Sequence, residues 1–229
     1  MTAHRLRVTV VDDHSLFAET LVLGLQGDGL TARSLVVAPG MTPASLRQAV
    51  MRTRPELVLL DVELGLRGDV MDLVESISGS GVPVVVVTGS ADVVRQGEAL
   101  CRGARAVIAK SEPFSEMLAA VRRFQADLQP MSSRQHRRLV GAFRAAVDER
   151  QELRRRFDLL SRHEAEVLGL LLEGLTVVDI ARTRFVSEAT VRSQVKAVLS
   201  KLEVSSQLTA VVLAHRADWT APSSGSRQP

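Results

Sequence analysis

The strongest constraint in this sequence is an alternation that fills the chain up to about residue 125: five short runs of β-branched and other apolar residues, separated by helix-like stretches. The runs are Leu6 to Val11, Thr31 to Val37, Leu57 to Leu60, Val84 to Val87 and Ala106 to Ala109. Strands that alternate with helices form a parallel α/β sheet, because parallel neighbours need a long crossover between them. The near-continuous hydrophobicity of the runs predicts burial on both faces, and ligands of such sheets bind beyond the carboxyl ends of the strands. The residues just past each strand are therefore the ones placed to meet a ligand. They are Asp12 and Asp13 after the first run, Asp61 after the third, Thr88 after the fourth and Lys110 after the fifth.

Three carboxylates, a hydroxyl and an ammonium at one sheet edge are the inventory for handling a phosphoryl group with a divalent cation. Packed carboxylates repel one another and are relieved by a bound cation, and an all-oxygen donor set favours Mg²⁺ over zinc or copper. Asp61 is placed as a nucleophile that forms an aspartyl phosphate. Mg²⁺ and Lys110 would neutralise the phosphoryl oxygens, and Thr88 would donate a hydrogen bond to one of them. The competing explanation, that acidic residues at strand ends are only loop and cap residues, must account for the other matching strand ends as well.

After residue 125 the strands stop and Arg accumulates: Arg134, Arg137, Arg138, Arg144, Arg150 and the run Arg154 to Arg156. Phe143, Ala146, Leu153, Phe157 and Leu160 keep helical spacing if Arg150 is admitted to the stripe, which reads as a solvated amphipathic linker helix more readily than as a coiled coil. From Leu159 to about Trp219 the punctuation is all helical. Ser161 with Glu164 and Thr176 with Asp179 are capping pairs, Gly174 closes the first helix, and Ser187 opens a third helix near Glu188. On that third helix Val191, Val195, Val198 and Leu202 form a buried stripe, with Arg192, Ser193, Lys196 and Ser200 roughly opposite. A small, positive face of this kind fits a DNA major groove, although an ordinary amphipathic surface helix would look similar. The tail from Pro222 to Pro229, rich in Ser, Gly and Pro, is expected to be disordered.

Composition narrows the remaining classes. The single Cys101 excludes an intramolecular disulfide framework and a metal-thiolate module, and suits a reducing cytoplasm. The apolar stretch after Arg5 and Arg7 is too short for a secretory segment, and no apolar run approaches the roughly 20 residues of a membrane helix. The formal charge is +3 while the pI is about 9.7, a gap that arises because the chain has one Cys, no Tyr and only three Lys. The charge is also divided: residues 1–125 carry 13 Lys and Arg against 14 Asp and Glu, and the remainder 16 against 12. The basicity lies in the linker and the helical part.

Residues 5–125 resemble a response-regulator receiver domain. Val10-Val11-Asp12-Asp13-His14-Ser15-Leu16-Phe17 is similar to the opening of NarL/FixJ-type receivers, Leu57-Val58-Leu59-Leu60-Asp61 to the strand carrying the phosphorylated Asp, Val87-Thr88-Gly89-Ser90 to the switch hydroxyl, and Lys110 to the invariant Lys. The resemblance implies a flavodoxin-like doubly wound sheet, with Asp13, Asp61 and the Glu63 backbone carbonyl as direct Mg²⁺ ligands and Asp12 acting through water. Three positions depart from the family: Val107 where an aromatic usually swings inward, Gly65 in place of a Pro, and Ser111 after Lys110. Residues 160–213 resemble the LuxR-type four-helix domain. The matches include Ser161, Glu164, Glu166, Gly174, Ile180, Ala181, Ser187, Thr190, Val191, Lys201 and Leu202, while Gln194 stands where His is frequent and Glu203 where Gly is common.

Together these resemblances imply a receiver domain at 1–125, an Arg-rich helical linker at 126–158, an all-α helix-turn-helix domain at 159–219 and a tail at 220–229. They imply a cytoplasmic response regulator phosphorylated at Asp61 by a histidine kinase and dimeric when active. Promoter DNA would be contacted through Thr190, Arg192, Ser193, Gln194 and Lys196. Such a receiver catalyses only its own phosphoryl transfer and dephosphorylation. A dehalogenase-type phosphatase would want a second Asp two residues past the nucleophile, where this chain has Glu63, and a P-loop enzyme would need glycines where Asp12 and Asp13 stand. Val107 and Gly65 support one alternative, a receiver that serves as an interaction module without phosphate. No His is assigned a role; His14 reads as a solvated residue at a helix start.

Overall fold

The computed structural model describes residues 5–221, and its backbone divides into two compact units, Met1–Arg144 and Ala145–Pro229. The first unit carries the strands β1 (Arg7–Asp12), β2 (Thr31–Val36), β3 (Leu57–Leu60), β4 (Val84–Thr88) and β5 (Ala106–Ala109). Between and after them run the helices α1 (Ser15–Gly27), α2 (Pro43–Arg52), α3 (Val70–Ser78), α4 (Val93–Cys101) and α5 (Phe114–Gln125). All pairings are parallel and the order is β2-β1-β3-β4-β5, the doubly wound arrangement expected from the strand–helix alternation.

Successive strand residues point to opposite faces. Val8, Val10, Leu57, Leu59, Val85 and Val87 face α1 and α5, whereas Val11, Val58, Leu60, Val84 and Val86 face α2, α3 and α4. This accounts for the unbroken apolar runs in β3 and β4. β2 departs from the expectation of burial on both faces: Thr31, Arg33, Ser34 and Val36 are exposed, because β2 is an edge strand. β1 also extends one residue further than expected and takes Asp12 into the strand.

Local punctuation sets the helix starts. Thr42 and Ser45 form a capping box on α2, Asp69 caps α3, and Asp92 accepts from the first amides of α4. The stretch expected as a linker contains α6 (Ser133–Asp158), and the division between the units falls inside it. Leu139 of α6 is fully buried in the same cluster as Val107 and Ala99, a packing role that the amphipathic stripe did not include. Arg150 is exposed, so the stripe is broken at that point.

In the second unit α7 (Arg162–Leu172), α8 (Val177–Thr183), α9 (Glu188–Lys201) and α10 (Gln207–Arg216) follow one another through short turns. Ser161 with Glu164 and Thr176 with Asp179 form reciprocal capping boxes, and Ser187 and Ser206 cap α9 and α10. The apolar stripe of α9 serves two clusters: Val191 and Val195 pack with Val167 and Ile180, while Val198 and Leu202 pack with Phe157, Leu168 and Ala210. The tail from Pro222 to Pro229 and His4 lie outside the described residues.

Candidate metal centre and nucleic-acid interface

Strand order reverses between β1 and β3, and a crevice opens at such a point beyond the carboxyl ends of the strands. Asp12 ends β1 and Asp61 follows β3, and both are almost fully buried. One ligand atom from each of Asp12, Asp13, His14 and Asp61 falls within a group spanning 4.8 Å. Lys110, just past β5, places its ammonium 2.7 Å from Asp12 Oδ2 and 2.8 Å from Asp61 Oδ2, and 4.9 Å from the centre of the Phe17 ring. Two of the three packed carboxylates thus share a cation supplied by the chain itself, so relief of their repulsion does not rest on a bound metal alone.

Backbone donors fix the other oxygens. The Glu63 N–H donates to Asp61 Oδ1 at 3.0 Å and the His14 N–H to Asp12 Oδ1 at 2.8 Å. Burial raises the pKa of the Asp61 carboxyl above its ordinary value, and the hydrogen bond from Lys110 offsets only part of that rise. Burial works against the charge on Lys110, but its hydrogen bonds to Asp12 and Asp61 outweigh it and raise the pKa of the ammonium.

Thr88 ends β4 and is buried; its hydroxyl accepts from the Ser90 N–H at 3.0 Å and lies 3.5 Å from Glu63 Oε2. Val107 is buried on β5 among the residues that pack with Leu139. Two features of this edge escaped the sequence reading. His14 turns its Nδ1 back onto the acidic pair, 2.8 Å from Asp13 Oδ1 and 3.3 Å from Asp12 Oδ1. Glu63, considered there only for its carbonyl, sends its side chain to the end of β4, where Oε2 accepts from the Gly89 N–H at 2.8 Å.

The second unit presents Thr190, Arg192, Ser193 and Lys196 exposed on α9, opposite its buried stripe. Arg192 pairs with Glu188 one turn back at 2.7 Å. Gln194 is half-buried rather than free: its Oε1 accepts from Arg184 at 2.9 Å, and the same guanidinium reaches Glu166 Oε2 at 3.0 Å. This three-residue link ties α9 to the turn before it and to α7, and no local pattern announced it. Lys201 donates to Glu164 Oε2 at 2.7 Å and to the Leu159 carbonyl at 3.0 Å, which anchors the C-terminal end of α9 on the start of α7. Phe185, in the turn before α9, is 96% exposed.

Comparison with known proteins finds one family for each of the two units. The response regulator receiver domain family matches residues 8–122, and the family of bacterial regulatory proteins of luxR type matches residues 158–214. The chain belongs to the response-regulator family. As a response regulator it joins a receiver to a LuxR-type helix-turn-helix domain in the NarL/FixJ order, and it is a DNA-binding regulator of transcription. It is 26% identical over 208 residues to the oxygen regulatory protein NreC of Staphylococcus epidermidis, covering 88% of this chain and 93% of that one. It is 28% identical over 212 residues to the transcriptional activator DevR/DosR of Mycobacterium tuberculosis, covering 91% and 94%. A solved complex of the response regulator RcsB with DNA shares the fold, with a TM-score of 0.52 at 18% identity over 93% of this chain and 99% of that one. Among the described residues no helix is long and apolar enough to cross a membrane.

Proposed function

We propose that this response regulator accepts a phosphoryl group on Asp61 in a Mg²⁺-dependent reaction and, as a homodimer, carries that signal to promoter DNA through α9. The observation that supports the first half is the placing of Asp61: a buried carboxylate at the strand-order switch, held by Lys110 and the Glu63 N–H beside two further carboxylates. In the transfer an Asp61 oxygen attacks phosphorus while the bond from phosphorus to the donor breaks. The donor is the phosphorylated imidazole of a histidine kinase or, in the test tube, acetyl phosphate, and it leaves with the electron pair.

Asp12, Asp13, Asp61 and the Glu63 carbonyl are the residues proposed to hold Mg²⁺. The set fits a hard cation: with all three carboxylates ionised, Lys110 leaves an excess of two negative charges, which one divalent ion neutralises. When bound, the ion supplies charge neutralisation of the phosphoryl oxygens. Lys110 is close enough to exchange its carboxylate contact for a phosphoryl oxygen, and Thr88 is the hydroxyl proposed to receive another.

In the second unit Thr190, Arg192, Ser193 and Lys196 are the proposed groove and phosphate contacts, and Gln194 contributes its free amide nitrogen while Arg184 holds its oxygen. We take the receiver to span 1–125, the linker 126–158 and the DNA-binding domain 159–219. Mg²⁺-dependent labelling by acetyl phosphate is expected to vanish in Asp61→Asn, and undiminished labelling removes Asp61 as the acceptor. Arg192→Ala combined with Lys196→Ala is expected to lose affinity for DNA fragments selected by the parent protein; parent-like affinity removes α9 as the reading surface.

A further inference from the structure

Glu63 sits in the loop after β3, and its side chain is exposed, yet its carboxylate is not left in solvent. Oε2 accepts from the Gly89 N–H at 2.8 Å and lies 3.5 Å from the Thr88 hydroxyl. A backbone N–H and a hydroxyl, side by side at the end of β4, are the donors that an anionic phosphoryl oxygen on Asp61 would use. A carboxylate oxygen is an acceptor of the same kind and already occupies them.

The fit depends on the residue after Thr88. A Cβ built on Gly89 would lie 2.9 Å from Glu63 Oε2, closer than Cβ atoms pack against other groups. Gly89 is not among the glycines with positive φ, so its backbone conformation does not call for glycine. What the missing side chain provides is room for the Glu63 carboxylate.

We infer that Glu63 is a built-in occupant of the phosphoryl-oxygen subsite, and that a group arriving on Asp61 must displace it from Gly89 and Thr88. This rests on the reading of Asp61 as phosphoacceptor. Displacement is feasible because Glu63 is exposed and can swing into water, and it has a cost because a charge-assisted hydrogen bond is lost. Removing the carboxylate therefore opens the subsite to its ligand, while the Glu63 backbone carbonyl remains in place.

The probe is beryllofluoride with Mg²⁺, a phosphoryl mimic, titrated into the full chain by calorimetry. Glu63→Ala is expected to bind it roughly 3- to 30-fold more tightly than the parent, the range set by one good hydrogen bond and one long one. Glu63→Gln, which keeps the length of the side chain but removes the charge that strengthens its hold on the Gly89 N–H, is expected to tighten binding by a smaller factor. If both single variants bind no more tightly than the parent, the inference is overturned. The contact itself is read without ligand: the Gly89 amide proton resonance is expected to move upfield in Glu63→Ala, and an unmoved resonance also overturns it. Asp61→Asn separates the two layers. Parent-like beryllofluoride binding in that variant removes the acceptor assignment, whereas the Gly89 resonance judges Glu63 independently.

Discussion

Replacing Gly97 by alanine sets two effects of opposite sign against each other. Gly97 lies inside α4, where alanine is favoured over glycine by about 1 kcal/mol from helix propensity alone. The added methyl group, however, would lie 2.8 Å from the Leu139 carbonyl carbon, 2.9 Å from Phe143 Cβ and closer still to the Leu139 carbonyl oxygen. The nearest obstacle is helix backbone, which cannot rotate aside as a side-chain tip can, so the first turns of α6 must lift from α4. Leu139 is fully buried, and exposing it costs roughly 1.5–3 kcal/mol; retaining the contact under strain costs about as much. Packing should win, with a net loss of about 0.5–2 kcal/mol after the propensity gain. Hydrogen exchange read by mass spectrometry on the full chain should show residues 133–143 losing protection while α1 and α3 keep theirs. Gly141→Ala is the matched control: it lies on α6 with nothing within 4 Å of its Cβ position, and should stabilise by about 0.5–1 kcal/mol. If Gly97→Ala raises the melting temperature and leaves protection of α6 unchanged, close packing of α6 on α4 is wrong.

Three further perturbations probe the charged groups. Burial alone would raise the pKa of Glu164, but its hydrogen bonds with Lys201 and Ser161 outweigh it and hold the carboxyl below the ordinary value of 4.5. Its contribution is therefore present above about pH 4.5 and lost as pH falls through the lower folded value; urea unfolding across that range should show the loss in the parent and a flatter profile in Glu164→Gln, and identical slopes would refute the pairing. Arg184→Met leaves the Gln194 oxygen without its donor and Glu166 with Arg162 alone, and should lower the stability of the second unit by about 0.5–1.5 kcal/mol in denaturant titrations. Lys110→Met leaves Asp12 and Asp61 without their shared ammonium; melts in chelator should fall by about 2–4 kcal/mol, and Mg²⁺ should recover more stability than it adds to the parent.

The parts of this fold that were legible in the sequence are those encoded by neighbours along the chain. β3 and the Val84–Val87 run of β4 are legible because both of their faces are buried and every residue in the run is apolar, although β4 extends one residue further and takes in Thr88; the capping boxes at Ser161 and Thr176 are legible because a box is complete within four residues. β2 is legible as a run, but its exposure is not, since an edge position is a property of the sheet and not of the run. The acidic edge was legible because the strand ends bring it together whatever the helices do. What could not be read are contacts between residues far apart in sequence that leave no local pattern: Arg184 with Glu166, Lys110 over Phe17, Leu139 in the first unit's core.

Glycine makes the reason concrete. Gly29, Gly81 and Gly174 have positive φ and nothing within 4 Å of a Cβ position, and turn position suggests such glycines from sequence. Gly89 and Gly97 have ordinary backbone angles and stand where a side chain from elsewhere comes too close for a methyl group, Glu63 in one case and Phe143 with the Leu139 backbone in the other. In the sequence the two kinds of glycine look alike. At Gly89 and Gly97 the approach comes from a distant element: the loop carrying Glu63 onto the end of β4, and α6 onto α4. Alanine substitution separates them experimentally. At a glycine kept for space, the cost is tied to the opposing side chain, so Gly89→Ala should cost less stability in a Glu63→Ala background than in the parent; at a glycine kept for its φ, no change elsewhere in the chain relieves it.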